Sequence, residues 1–263
     1  MLRRSVRVCA VMGCLTVSMP CAASAQEDPC PQFGAQGHLP ALVAPGLLPR
    51  TTLLCNADYA ALNSGLVHEP LWSAEYLTRR EIMRASQLGR VTDRPHADPR
   101  LPPGDGADPA DYRRSGYARG RMTPASEAPD MAGRDQAFSL ANVVPQTPEL
   151  NKGIWSDVER AVRKLALQEG ALYVVTGPAF YGSTQGIGHH VVVPSSTWKA
   201  VYDPMVNAAG VYVCKNTENP TCTVVNVATL IRAVGVDPFP ALPDTLKETL
   251  LALPDPEDSS RQP

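Results

Sequence analysis

The chain has 263 residues, with 24 lysine or arginine against 26 aspartate or glutamate, for a formal net charge of −2. Such a balance carries no global nucleic-acid signature, and net charge alone argues against a nucleic-acid partner. Any phosphate binding has to come from a local cluster of cations rather than from the overall field.

The first segment carries Arg3, Arg4 and Arg7, then a short apolar run, then Ala23-Ser24-Ala25 before Gln26. This is the pattern of a secretory signal peptide over residues 1–25, and the run is too short and too interrupted by Gly13, Thr16, Ser18 and Pro20 to serve as a membrane anchor. Removing 25 of 263 residues leaves about 238, enough for one sizeable core. Cys9, Cys14 and Cys21 leave with the signal, and Cys30, Cys55, Cys214 and Cys222 remain. In an oxidising compartment these favour two disulfides; proximity suggests Cys30 with Cys55 and Cys214 with Cys222, among three possible connectivities. No pair has the C-x2-C spacing of a zinc site. No stable membrane association is expected, and no oligomeric state follows from the sequence.

Residues 26–50, rich in Pro, Gly and Ala, read as an irregular arm held by Cys30, and the organised domain is expected over residues 51–253. Pro70 to Leu77 is an aromatic and aliphatic segment suited to a sheet. From Arg79 to Gly116, Pro, Asp, Gly and Arg dominate, which predicts a long loop. Its arginines, among them Arg94, Arg100, Arg113 and Arg114, make it either a phosphate-facing surface or a solvated basic one. The spacing of Ile154, Val158, Ala161, Val162 and Leu165 predicts one helix from Asn151 to Gln168, ended by Gly170. Strands follow at Ala171 to Thr176, His190 to Val193, Trp198 to Tyr202 and Val211 to Cys214. Val227 to Val234 and Pro243 to Leu251 read as closing helices, and residues 254–263 as a flexible tail.

On the predicted helix, Asn151, Trp155, Glu159 and Arg163 recur at intervals of four and so share one flank. An amide oxygen is a hard, neutral ligand suited to magnesium; a carboxylate can hold the waters of such an ion, and an arginine can pair with a phosphate oxygen. Taken alone, the helix is better read as an exposed Glu159–Arg163 ion pair beside a capping Asn151.

The preceding segment adds specific motifs. Ala118-Arg119-Gly120-Arg121 is followed by Pro124, then Asn142-Val143-Val144-Pro145-Gln146, then Leu150-Asn151-Lys152-Gly153-Ile154-Trp155 through Val158-Glu159. This resembles the DNA/RNA non-specific endonuclease family of ββα-metal nucleases, whose signature is D-R-G-H with a proline three residues later, then N-x-x-P-Q, then L-N-x-G-x-W. The resemblance spans most of Leu53 to Leu251. It implies an α+β fold with a mixed, mainly antiparallel sheet, flanking helices and a ββα-metal core.

For individual residues, the resemblance makes Asn151 the direct magnesium ligand. Glu159 would orient metal-bound water, Arg119 and Arg163 would contact phosphate, and Asn142 and Gln146 would support the metal-site loop. Arg94, in R-x-x-x-D-P with Asp98 and Pro99, matches an upstream family arginine. DNA and RNA are the implied substrates.

Two positions depart from the signature. Ala118 replaces a supporting aspartate. Arg121 stands where the family has its general-base histidine, and a guanidinium keeps its proton at any ordinary pH. Arg121 can instead pin a phosphate or stabilise transition-state charge. The base then falls to His189, His190, His96 or a hydroxide on the metal. The sequence therefore carries two expectations: a magnesium-dependent endonuclease with an altered base, or a catalytically impaired member that binds nucleic acid or a protein.

Overall fold

The computed structural model describes residues 28–256 apart from 90, 91, 93 and 184. The expected signal peptide at 1–25 and the end of the expected tail, 257–263, lie outside the described residues. In chain order the elements are β1 (Ala41–Leu42), β2 (Thr51–Cys55), β3 (Ala60–Ser64), β4 (Glu69–Thr78), α1 (Arg79–Gln87), β5 (Ala118–Arg121), α2 (Met131–Ala137) and β6 (Val143–Gln146). There follow α3 (Pro148–Lys152), α4 (Ile154–Glu169), β7 (Ala171–Ala179), β8 (Gly186–Ile187), β9 (Val191–Val192), β10 (Ser196–Asp203) and β11 (Ala208–Lys215). The chain closes with β12 (Cys222–Val225), α5 (Val227–Val234), β13 (Val236–Asp237) and α6 (Asp244–Glu248).

Seven strands form one antiparallel sheet in the order β12-β11-β10-β7-β4-β3-β2. The two-residue period of its strands sorts side chains to two faces. Tyr173, Val175, Trp198, Ala200 and Tyr202 join a core with α5, α6 and the N-terminal arm. Leu172, Val174, Val201 and Leu77 face the other way and pack under Trp155, Val158, Val162 and Ala166 of α4. On that second face Ser73, Glu75, Thr176, Thr197 and Lys199 are also buried, so the sheet beneath the hairpin β5–β6 is polar where the rest of the face is apolar.

Three stretches differ from the expectations. The arm is packed into the domain: Phe33, Ala35 and Leu39 enter the main core, and β1 pairs with β13. The stretch 79–116, expected as a loop throughout, opens with helix α1, started by a capping box in which Thr78 accepts from Glu81 N and the Glu81 carboxylate accepts from Thr78 N. The predicted helix from Asn151 is two helices. Gly153 breaks them, with φ −95 and ψ −123, and a Cβ there would lie 2.4 Å from Glu149 O. At the other end, Tyr212 donates to Pro254 O, which ties down the start of the expected tail.

Both expected disulfides are present. Cys30–Cys55 ties the arm to β2, and Cys214–Cys222 joins β11 to β12. The first closes a separation of 25 residues. Replacing Cys30 and Cys55 together by Ser should lower the unfolding free energy by about 3 kcal/mol through the lost constraint on the unfolded chain. Urea denaturation checks this, and an unchanged midpoint would show that packing of Phe33 and Leu39 alone secures the arm. Among the described residues no helix is long and apolar enough to cross a membrane.

Candidate active site

The hairpin β5–β6 and helix α3 meet at a cleft of about 670 Å³. Arg119 and Arg121, two residues apart on β5, both line it, as the strand period requires. Arg113 and Arg114 enter from the connection before β5, Lys152 and Asn151 from the end of α3, and Tyr112 forms part of the wall. Five cations thus converge on one concave surface of a chain whose net charge is −2. Charge of one sign in a cleft focuses the field and draws in an anionic ligand.

Asn151 is oriented by Gln146. Its Nδ2 donates to Gln146 Oε1 at 2.8 Å, and Gln146 Nε2 donates to Thr197 Oγ1 of the sheet at 3.1 Å. With its amide nitrogen committed to Gln146, Asn151 has Oδ1 as its side-chain acceptor atom. Gln146 is fully buried and runs beside Gly120, where a Cβ would lie 2.2 Å from Gln146 Oε1. Gly120→Ala should therefore push Gln146 off Asn151 at a cost of about 1–3 kcal/mol. A thermal melt reads the cost, and a crystal structure with the Asn151–Gln146 bond intact would overturn the argument.

Asn142 lies below the cleft. Its Oδ1 accepts from Ser73 Oγ at 2.8 Å and Thr123 N at 3.0 Å, and its Nδ2 donates to Thr123 O and Ala137 O. It stitches β4, the turn after β5 and the end of α2 together, a supporting place with its polar groups already satisfied.

Glu159 and Arg163 sit one turn apart on α4. Burial raises the Glu159 carboxyl above its ordinary range, opposed first by Lys199, while Glu127 adds to the rise and Arg163 and Arg121 pull it down. Arg121 is therefore close enough for its charge to reach Glu159, and its guanidinium carbon also lies 5.1 Å over the Phe138 ring. Arg163 Nη1 donates to Glu127 Oε1 at 3.0 Å. Lys199, buried on β10, donates to Thr176 Oγ1 at 2.6 Å and sits 5.7 Å over the Trp155 ring.

Arg94 is exposed and does not line the cleft; its carbonyl lies 3.1 Å from His96 Nδ1. The imidazoles are elsewhere too. His96 is joined through its backbone to Phe138 and Leu140, and His189 Nδ1 is 3.0 Å from Asp111 Oδ1 with its side chain 91% exposed. Neither these nor His190 lines the cleft. The carboxylates Glu75 and Glu127 and the buried Lys199 carry no sequence signal of a site; only the fold brings them beside Glu159.

A model of the DNA/RNA non-specific endonuclease family matches residues 42–245. Endonuclease G of Bos taurus is 31% identical over 204 residues, covering 73% of this chain and 67% of that protein. The nuclease of Serratia marcescens is 29% identical over 173 residues, 60% of this chain and 65% of that protein. The mitochondrial nuclease EXOG of Homo sapiens is 29% identical over 163 residues, and the match spans 44% of its length and 57% of this chain. The crystal structure of the EndoG/EndoGI complex contains a chain that superposes with a TM-score of 0.62 at 24% identity, over 74% of this chain and 88% of that one, a likeness of fold.

Proposed function

The chain belongs to the DNA/RNA non-specific endonuclease family, and from that membership we propose that it is an exported, divalent-metal-dependent endonuclease hydrolysing phosphodiester bonds of DNA and RNA. The observation that carries this reading is the meeting of an oriented Asn151 with four arginines and a lysine in one cleft. Contacts of that kind go to phosphate and sugar rather than to base edges, which fits little sequence preference. The two disulfides support export to an oxidising compartment, periplasm or medium.

Magnesium fits the donor set. Among the described residues no group of three His, Cys, Asp or Glu is arranged for a metal, so the chain offers no soft cage. It offers one neutral amide oxygen, which leaves room for the waters and phosphate oxygens that magnesium prefers. When bound, such an ion supplies Lewis-acid polarisation of the phosphate and acidifies nearby water. The remaining work falls to side chains. Asn151 Oδ1 would hold the ion, and Glu159 would orient the attacking water. Arg119, Arg121 and Arg163 would bind the phosphate and meet the charge that develops on its oxygens.

A second reading rests on its own observation. None of the imidazoles of His96, His189 and His190 lines the cleft, and Arg121 occupies the position expected of the base. On that reading the protein binds nucleic acid and turns it over slowly or not at all. Digestion of supercoiled plasmid and of RNA, with magnesium and with EDTA, separates the two. Cleavage of both substrates in magnesium alone is expected. Binding without cleavage in any divalent ion would leave the second reading.

A further inference from the structure

Arg163 emerges between a buried acidic pair and the protein surface. Its side chain is 23% exposed, whereas that of its partner Glu127 is 4% exposed. Glu127 lies in the turn after β5, where its N–H donates to Pro124 O. Behind it stands Glu75 of β4, buried and near enough that Glu127 acts on its carboxyl. Burial holds the Glu75 carboxyl well above the ordinary carboxylate range, with Glu127 adding to the rise and Lys199 opposing it. Arg163 stands against Glu127 and Lys199 acts on Glu159, so bases accompany the acids in this buried network.

We infer that Glu127 is a positioning residue for Arg163: it fixes the guanidinium on the α4 face so that the remaining donors meet a nucleic-acid phosphate, while Glu75 steadies Glu127 from behind. The inference rests on the reading of the cleft as a phosphodiester site, but it concerns binding rather than turnover. An arginine held at one edge by a carboxylate loses less side-chain entropy when it takes a phosphate at another. The sequence gives no sign of this, because Glu127 and Arg163 are 36 residues apart.

The test uses a fluorescein-labelled single-stranded oligonucleotide, with anisotropy measured in EDTA so that no turnover intervenes. Glu127→Gln and Arg163→Gln should each weaken binding about tenfold and make the dependence of log K on log salt shallower by roughly one phosphate contact. The double variant should lose no more than either single one. Glu127→Asp should recover part of the loss; Glu75→Leu should weaken binding, and Glu75→Gln, which can donate, should restore it. Additive losses in the double variant, or full affinity in Glu127→Gln, overturn the inference.

A readout without ligand guards against misfolding. The Arg163 side-chain Nε–H resonance should be ordered in the wild type and in Glu127→Asp and mobile in Glu127→Gln. Equal order in all three overturns the inference. Wild-type binding without cleavage sinks the catalytic reading and leaves this one standing, whereas no binding by the wild type overturns both.

Discussion

Asn151→Ala is expected to cut magnesium-dependent cleavage of plasmid DNA by roughly 10²- to 10³-fold. The argument starts from the donor count. The cleft offers five cations and one oriented amide oxygen, and Gln146 holds that amide by its nitrogen. Removing the oxygen leaves an ion facing a strongly basic wall with no protein ligand. A bound metal contributes several kcal/mol to transition-state charge stabilisation, and each 1.36 kcal/mol is tenfold in rate, so a loss of about 3–4 kcal/mol gives the stated range. Asn151 is only partly buried and sits at the end of the short helix α3, so folding should survive. Single-turnover rates at saturating magnesium, with circular dichroism as the control for folding, check the prediction. A variant that cleaves like the wild type would place the metal elsewhere and remove the central support of the proposed function.

Arg121→His should raise the cleavage rate, by about 10²-fold if an imidazole there acts as general base. Arg121 shares β5 with Arg119, lines the cleft, and its charge reaches Glu159. A histidine on the same strand position keeps that direction and brings a group able to accept a proton near neutral pH. The rate of the variant should rise with pH through about 6.5, the ordinary imidazole range. Affinity for an oligonucleotide should fall, because one phosphate-binding cation is lost. An activity that appears only in the variant would identify the wild type as a disabled nuclease. A rate that falls would show that the guanidinium itself stabilises the transition state.

Much of the framework was legible before any tertiary information. The strand-like runs from Ala171 to Cys214 match central strands, and Pro70 to Leu77 lies within β4. Composition misled where it was averaged. The capping box Thr78-x-x-Glu81 announces α1, yet it lies in a stretch whose prolines, glycines and arginines favour a loop. The apolar spacing runs smoothly across Gly153 and so hides the helix break, although a glycine there relieves contact with Glu149 O. Arg94 aligned loosely by motif and ends up exposed, away from the cleft lining.

By itself the sequence determined the family, through three linked motifs around Arg119, Asn142 and Asn151, together with the departure at Arg121, while it left three disulfide connectivities of which the fold adopts the one that proximity favours. The motifs are local or nearly local in the chain, so spacing and residue type suffice to reveal them. Only the tertiary structure decided what surrounds them. The polar face of the sheet places Glu75 and Lys199 under α4, Gln146 reaches across to turn Asn151, and Glu127 meets Arg163. The contacts of Glu75, Lys199 and Glu127 join segments far apart in sequence, and their charges matter only because burial strips away the water that would otherwise screen them.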